Sequence, residues 1–364
     1  MATAKLGDIA IEAKSSNKGD KTGIRIVGLE HLTPSNVTLS SWSEDTENTF
    51  TKEFSKGDVL FGRRRAYLKK AAVAPFDGIC SGDITVIRAI EDKVDPDLLP
   101  FIIQNDFLFE FAVGKSAGSL SPRVKWTHLK EFAIELPSMP EQSKLAETLW
   151  SINETKNAYE DLINKTDELV KSQFIEMFGD PNDPLKSVPF EVAFTIRDDL
   201  RKPINDTVRA EMHENAEYPY YGANGLVDTI NEYLMDCTAL CLAEDCGAYG
   251  AGDATSYIVD GKCWVNNHAH VLIPKECCDI YYANAFFRVM DLSKYVSGTT
   301  RLKLTQGKMK EIPVVLPEFD QQIMFADFVN QSDKSKFALQ EAIKDLDALS
   351  KKIIAENLIP AGKE

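Results

Sequence analysis

The chain has 364 residues, 44% apolar and 27% charged, enough for two or three globular domains with real cores. Its formal net charge of −15, from 41 basic and 56 acidic side chains, argues against binding polyanions through global charge. No run approaches the roughly 18 apolar residues of a membrane span, residues 1–7 lack the apolar core of a secretion signal, and seven cysteines without such a signal fit a reducing cytoplasm better than a disulfide framework.

In chain order, the segments 58–62, 83–88, 239–242 and 270–273 read as short strands, and 98–111 and 280–290 as helices. The order of the strands in a sheet is not legible. Two further segments read as long helices, and these carry much of the negative charge. Residues 1–138 are near neutral at −1, 139–178 carry −4, 179–317 carry −7 and 318–358 carry −3. A polyanion would approach the globular parts locally and avoid the helices.

The most informative feature is an internal repeat. The stretch Lys130-Glu131-Phe132-Ala133-Ile134-Glu135-Leu136-Pro137 matches Lys310-Glu311-Ile312-Pro313-Val314-Val315-Leu316-Pro317 at an offset of 180. The match continues without a gap through Gln142 and Gln322, Ala146 and Ala326, Lys156 and Lys336, Leu169 and Leu349, and Glu176 and Glu356. Upstream, Asp77-Gly78-Ile79-Cys80 resembles Asp260-Gly261-Lys262-Cys263 at the slipped offset of 183. Each repeat is a globular half, a Leu-Pro step and a helix.

The helices carry a heptad seam, with spacings of four and three. In the first it runs through Leu145, Leu149, Ile152, Lys156, Tyr159, Ile163, Thr166, Val170, Gln173 and Met177. In the second it runs through Phe325, Val329, Ser332, Lys336, Leu339, Ile343, Leu346, Ser350, Ile353 and Asn357. The polar seam positions weaken either helix as a free coiled coil; they suit two helices paired antiparallel that also meet a partner. Each helix is about 37 residues, or roughly 55 Å. The first stops at Gly179, Pro181 and Pro184, which cannot continue it. The expected division is a first domain over 1–138, a helix over 139–180, a second domain over 181–317, a helix over 318–358 and a tail over 359–364. The fold class is α+β: two repeat-related mixed α/β domains and two long antiparallel coiled-coil helices.

No strong catalytic motif is present: no phosphate-loop lysine, no zinc-protease helix, and none of the Asn-Pro-Pro-aromatic tetrads that hold a flipped base for amino methylation. Cys237, Cys241, Cys246 and Cys263 with His268 and His270 have no spacing of a closed zinc site. The cysteines read as small buried hydrophobes, and no metal is expected.

Local basic and hydroxylic loops point instead to DNA. Arg63, Arg64, Arg65, Lys69 and Lys70 place five cations in eight residues beside Tyr67. Arginine forks onto phosphate or onto guanine, and tyrosine stacks or donates. A second loop, 115–125, carries Ser119, Ser121, Arg123 and Lys125; its repeat counterpart carries Thr299, Thr300, Arg301 and Lys303. Small residues let backbone approach a nucleic acid, and hydroxyls and cations bind phosphates. Tyr221, Asn224, Asn267 and His268 add aromatic and amide groups; asparagine can read adenine, though turn and capping roles fit them as well.

Taken together, these residues resemble the specificity (S) subunits of Type I restriction–modification systems. The resemblance spans essentially the whole chain. It rests on Gly57-Asp58-Val59-Leu60-Phe61-Gly62-Arg63-Arg64-Arg65-Ala66-Tyr67, Ile79-Cys80-Ser81-Gly82-Asp83, Pro219-Tyr220-Tyr221-Gly222-Ala223-Asn224-Gly225, Gly252-Asp253-Ala254-Thr255 and Val265-Asn266-Asn267-His268. It rests also on Leu136-Pro137-Ser138-Met139-Pro140-Glu141-Gln142, which opens the first helix; in the second copy Gln321 replaces the glutamate, so that cap is expected to differ. The resemblance implies two target recognition domains, each reading one half of a bipartite, asymmetric double-stranded DNA site, with helices that set the spacer. It implies a non-catalytic cytoplasmic chain without a cofactor of its own, on which two methylation (M) subunits dock. S-adenosylmethionine, ATP and Mg would then sit on the methylation and restriction (R) subunits. The rival reading is a solitary methyltransferase or nuclease whose active site the sequence does not reveal.

Overall fold

The structure, a computed structural model, describes residues 2–362 apart from Thr46, Ser119, Pro184, Leu185, Thr299 and Thr300. The chain forms two compact units: Met1–Glu160 with Glu341–Glu364, and Asp161–Gln340. This division differs from one that treats the helices as separate segments. Each unit takes part of both long helices into its own core.

In the first unit the run Val59–Gly62 is buried at all four positions, as a continuous apolar strand requires. It lies inside an antiparallel sheet ordered Ala10–Glu12, Ile84–Ala89, Val59–Gly62, Ala71–Val73. A second sheet sets Gly78–Cys80 between Arg25–Val27, to which it is parallel, and Lys52–Phe54, to which it is antiparallel. Strand Ala2–Lys5 pairs with Ala133–Leu136. The helix expected over 98–111 is two helices, Leu99–Ile103 and Asp106–Gly114. Asn105 causes the break. Its side chain accepts the Phe107 N–H as an N-cap, while its Nδ2 donates to the Leu358 carbonyl at 2.8 Å.

The second unit repeats this plan. An antiparallel sheet is ordered Phe194–Ile196, Ala269–Pro274, Ala239–Ala243, Ser256–Val259. The other sheet sets Lys262–Val265 beside Tyr218–Gly222 in parallel and Met235–Asp236 antiparallel, with Gly225–Ile230 on the outer edge. Ser187–Val188 pairs with Val314–Val315. Helix Ile280–Val289 starts at Asp279, whose side chain accepts the Tyr282 N–H.

The long helices are Met139–Phe178 and Phe319–Asn357. Within each unit their segments run antiparallel. In the first, Leu149, Ile354 and Leu358 share a core with Phe101 and Phe109, and seam residue Lys156 pairs with Asp347 at 2.9 Å. In the second, Phe174 meets Phe325 at 5.4 Å, Phe174 also packs on Tyr282 and Phe286 and Phe325 on Tyr282, and seam residue Lys336 pairs with Asp167. Leu149, Val170, Phe325, Val329 and Ser332 are buried; Leu145, Ile152, Tyr159, Ile163, Leu339, Ile343, Leu346 and Ile353 are partly buried. The polar seam positions are therefore not vacancies in a coiled coil: two of them are ion pairs.

The repeat motif at each helix start has a physical role. Gln142 is buried; its Oε1 accepts the Asp95 N–H at 3.0 Å and its Nε2 donates to the Pro137 carbonyl at 3.0 Å. Gln322, fully buried, does the same with Asp279 and Pro317, and also donates to the Cys277 carbonyl. The cap in front of it differs between the copies. The Glu141 carboxylate accepts from both the backbone N–H and the hydroxyl of Ser138, the glutamate half of a capping box. At the second copy the Gln321 and Gln322 N–H groups donate to the Glu318 carbonyl.

All seven cysteines are free, and burial pushes the Cys80, Cys241 and Cys278 thiols up to about 12 and Cys263 to about 11. Among the described residues no group of three or more His, Cys, Asp or Glu is placed to hold a metal ion, and no helix is long and apolar enough to cross a membrane.

Gln322→Ala removes, at a fully buried position, the partner of the Cys277 and Pro317 carbonyls and of the Asp279 N–H, so thermal or urea unfolding should show a loss of about 1–3 kcal/mol, whereas Gln321→Ala, at an exposed position, should stay within about 0.5 kcal/mol.

Candidate nucleic-acid interface

The two basic loops are the same hairpin built twice. In the first unit, Ala117 and Arg123 exchange both backbone hydrogen bonds, at 3.1 and 3.0 Å. In the second, Ser297 and Lys303 do so at 3.0 and 2.8 Å. Each turn needs a glycine in the left-handed region, Gly118 (φ 117°) and Gly298 (φ 100°). At Gly298 an added Cβ would lie 2.4 Å from the Arg301 carbonyl oxygen.

Each hairpin is stitched to the end of a central strand. The Val124 N–H donates to the Arg63 carbonyl, and the Arg65 N–H to the Pro122 carbonyl. The Leu304 N–H donates to the Glu244 carbonyl. One layer further in, the Arg63 N–H donates to the Asp83 carbonyl, and the Glu244 N–H to the His268 carbonyl. These backbone bonds make Arg63 and Glu244 equivalent, as they do Asp83 and His268, and Arg123 and Lys303.

The side chains at these places diverge: Arg63 against Glu244 reverses the charge, Asp83 against His268 exchanges a carboxylate for an imidazole, and Arg123 and Lys303 are both cations. In the first unit Asp83 is the carboxylate at the foot of the hairpin. Arg123 Nε reaches its Oδ1 at 2.7 Å and Arg64 its Oδ2 at 3.5 Å. The hydrogen bond from Arg123, with the nearby Arg64 and Arg63, holds the Asp83 carboxyl below its usual range against partial burial. Arg64 Nε also donates to the Ser121 hydroxyl at 2.6 Å. Arg63 is half-buried, with no hydrogen-bond partner for its Nε. Arg65, at φ 54°, is exposed, as are Lys125 and Tyr67. Lys69 and Lys70 turn back onto their own domain: Lys69 pairs with Asp106 at 2.5 Å, and Lys70 donates to the Leu29 carbonyl at 2.7 Å.

In the second unit Glu244 and Asp245 stand where the first has Arg63 and Arg64. Glu244 accepts from Lys303 at 2.8 Å and from Arg201 at 2.5 Å. Asp245 accepts from Arg301 at 2.6 Å and from His268 Nδ1 at 2.9 Å. Burial pushes the Glu244 carboxyl up, but its bonds from Lys303 and Arg201 more than offset that and hold it below the usual range. Buried His270 lies beneath, between the Asp198 carboxylate and the Leu304 carbonyl.

Among the other sequence-predicted residues, Tyr221 stacks on Tyr257 at 5.6 Å, inside the fold, while Asn224 and Asn267 are exposed. Ser119, Thr299 and Thr300 lie outside the described residues. Sequence reasoning missed Asp83, Glu244 and Asp245, since no spacing rule ties a carboxylate to a cation about 20 to 60 residues away. It also missed the exposed apolar tips: Leu120 at 91% exposure, and Leu226 and Val227 on the hairpin whose Gly222 carbonyl accepts the Tyr257 hydroxyl.

Comparison with known proteins agrees with this duplication. The family model of the Type I restriction modification DNA specificity domain matches residues 1–167 and again 200–346. The type I restriction enzyme specificity subunit S.HindORF215P of Haemophilus influenzae is 30% identical over 132 residues, 35% of this chain and 32% of that protein. The stretch matched is about a third of the length of the curated relatives. A chain from a structural study of complex assembly and conformational transition of the type I R-M system superposes with a TM-score of 0.57, at 17% identity, over 98% of this chain and 97% of that one. The S subunit of the Type-I restriction-modification system of M. genitalium gives 0.56 at 13% identity, over 97% and 94%. At these identities the superpositions show a shared fold. A family model that covers most of the chain, in two copies coinciding with the two repeats, shows that the chain belongs to the Type I restriction modification DNA specificity domain family.

Proposed function

We propose that this chain is the DNA-recognition subunit of a Type I restriction–modification complex, with residues 1–138 and 181–317 each reading one half of a bipartite, asymmetric site. The observation that carries the reading is the same strand-anchored hairpin built twice, under a DNA-specificity family model, with different side chains at equivalent places. A duplicated scaffold gives each half the same way of approaching a duplex. The differing side chains give each half its own bases. The specificity-subunit family is non-catalytic. The chemistry belongs in this reading to partners: two methylation subunits with S-adenosylmethionine, and restriction subunits with ATP and Mg, all in the cytoplasm. The helices dock those partners and set the number of unread bases between half-sites.

In the first half, phosphates meet Arg65, Arg64 and Lys125 around a hairpin whose small residues let backbone approach. Such contacts position the protein, while base edges carry the sequence. The −15 charge opposes any broader electrostatic attraction, so tight binding needs the enclosing methylation subunits.

Arg65→Ala should weaken binding of the complex to every duplex alike and reduce the slope of log K against log salt by about 0.9. Should Arg65 read guanine instead, the loss is about 1–3 kcal/mol at one base position. Fluorescence anisotropy over a salt series separates these outcomes, and no change in either would return the cluster to plain surface.

Seven residues added after Asn164 and seven after Ala342 preserve the heptad register and lengthen the helices by roughly 10 Å. The spacer of the recognised site should grow by about three base pairs, and a two-residue insertion should abolish recognition by rotating the seam. Sequencing of duplexes retained from a random pool reads the spacer. An active doubly extended protein with the original spacer would refute the role of the helices.

A further inference from the structure

The inverted charge at the foot of the two hairpins bears on how each half meets a polyanion. In the first half Arg63, Arg64 and Arg123 cluster about Asp83, and exposed Arg65 follows on the same loop. In the second, Arg201, Arg301 and Lys303 are matched by Asp198, Asp245 and Glu244. The carboxylates are not on loose surface: the side chains of Asp245 and Glu244 are 7% and 11% exposed. A phosphate that took Lys303 or Arg301 would strip a partner from a nearly buried carboxylate, which raises the cost of the exchange. In the first half the exchange is easier, since Arg65 makes no ion pair among the described residues and Arg64 sits 3.5 Å from Asp83, whose side chain at 22% exposure is open to water.

We propose that the two halves divide the work of binding duplex DNA: the first supplies the phosphate affinity, and the second reads its half-site with a hairpin whose cations are already neutralised by Glu244 and Asp245. This rests on the DNA-recognition reading above. The second half then gains affinity from base contacts rather than from counterion release, so it adds little to binding at wrong sequences. Glu244 and Asp245 act as positioning residues: they hold the hairpin by Lys303, Arg301 and the Leu304 N–H, and they shield its charge.

Binding to a random-sequence duplex tests this without knowledge of the recognised site, because non-specific binding is almost wholly electrostatic. The chain is used in complex with its partner subunits, over a series of salt concentrations. Arg301→Ala, at a residue whose side chain is 67% exposed, should leave the slope of log K against log salt at the wild-type value in a protein that folds, and Lys303→Ala likewise. Asp245→Asn frees Arg301 and should steepen the slope by about 0.9, with tighter non-specific binding at low salt. A slope reduced by about 0.9 in Arg301→Ala would overturn the division of labour, since that cation would then be meeting phosphate. So would a wild-type slope in a folded Asp245→Asn protein; the Arg301→Ala result decides the matter alone if Asp245→Asn does not fold. Both results leave DNA recognition standing, whereas a wild-type complex that binds no duplex at any salt would remove the reading itself.

Discussion

A helix with lysine and serine on its seam cannot hold itself together in water, and the fold depends on how that deficit is met. The ends of both long helices are driven into the globular cores. Leu149, Ile354 and Leu358 enter one, and Phe174, Phe178, Phe325 and Val329 the other. Tertiary burial, not propensity, stabilises such helices. Lys156 with Asp347 and Lys336 with Asp167 then settle the polar positions without opening the seam. Gln142 and Gln322 complete the joint by fixing the helix start to the backbone of the domain. Domain and helix are one folded unit in each half, and this lets a recognition surface be held at a defined place on a helix.

On that frame, function is left to the ends of strands. The strands Val59–Gly62 and Ala239–Ala243 are buried along their length and end at Arg63 and Glu244, where the hairpins attach. Backbone bonds set the geometry of the attachment, so the side chains there are free to differ. They differ as far as chemistry allows, from cation to anion. A duplicated scaffold with independent surface residues is what an asymmetric target demands.

Much of this was legible in the sequence. The seam and the Leu-Pro steps carry a period and a constant offset, and periodic signals survive without tertiary information. The buried strands were visible as apolar runs. The break at Asn105 was not, since it depends on a cap and on a bond to the distant Leu358 carbonyl. The sheet order was not legible either, because pairings such as Arg25–Val27 with Gly78–Cys80 join segments some 50 residues apart. The site was half visible. Its cations cluster in sequence, but Asp83, Glu244 and Asp245 reach them only through folding. Arg63 and Glu244 lie 181 apart, off both repeat offsets of 180 and 183, and their side chains share no likeness, so only the backbone hydrogen bonds reveal their equivalence.

The central claim, that each half reads its own part of one DNA site, is tested most directly by exchanging the second half alone. Residues 187–315 are replaced by the corresponding residues of a specificity subunit with a different target, and the duplexes that the assembled complex retains from a random pool are sequenced. The account predicts that one part of the bipartite site changes while the other part and the spacer stay as they were. A complex that still selects duplexes but with both parts altered, or with neither, would contradict it.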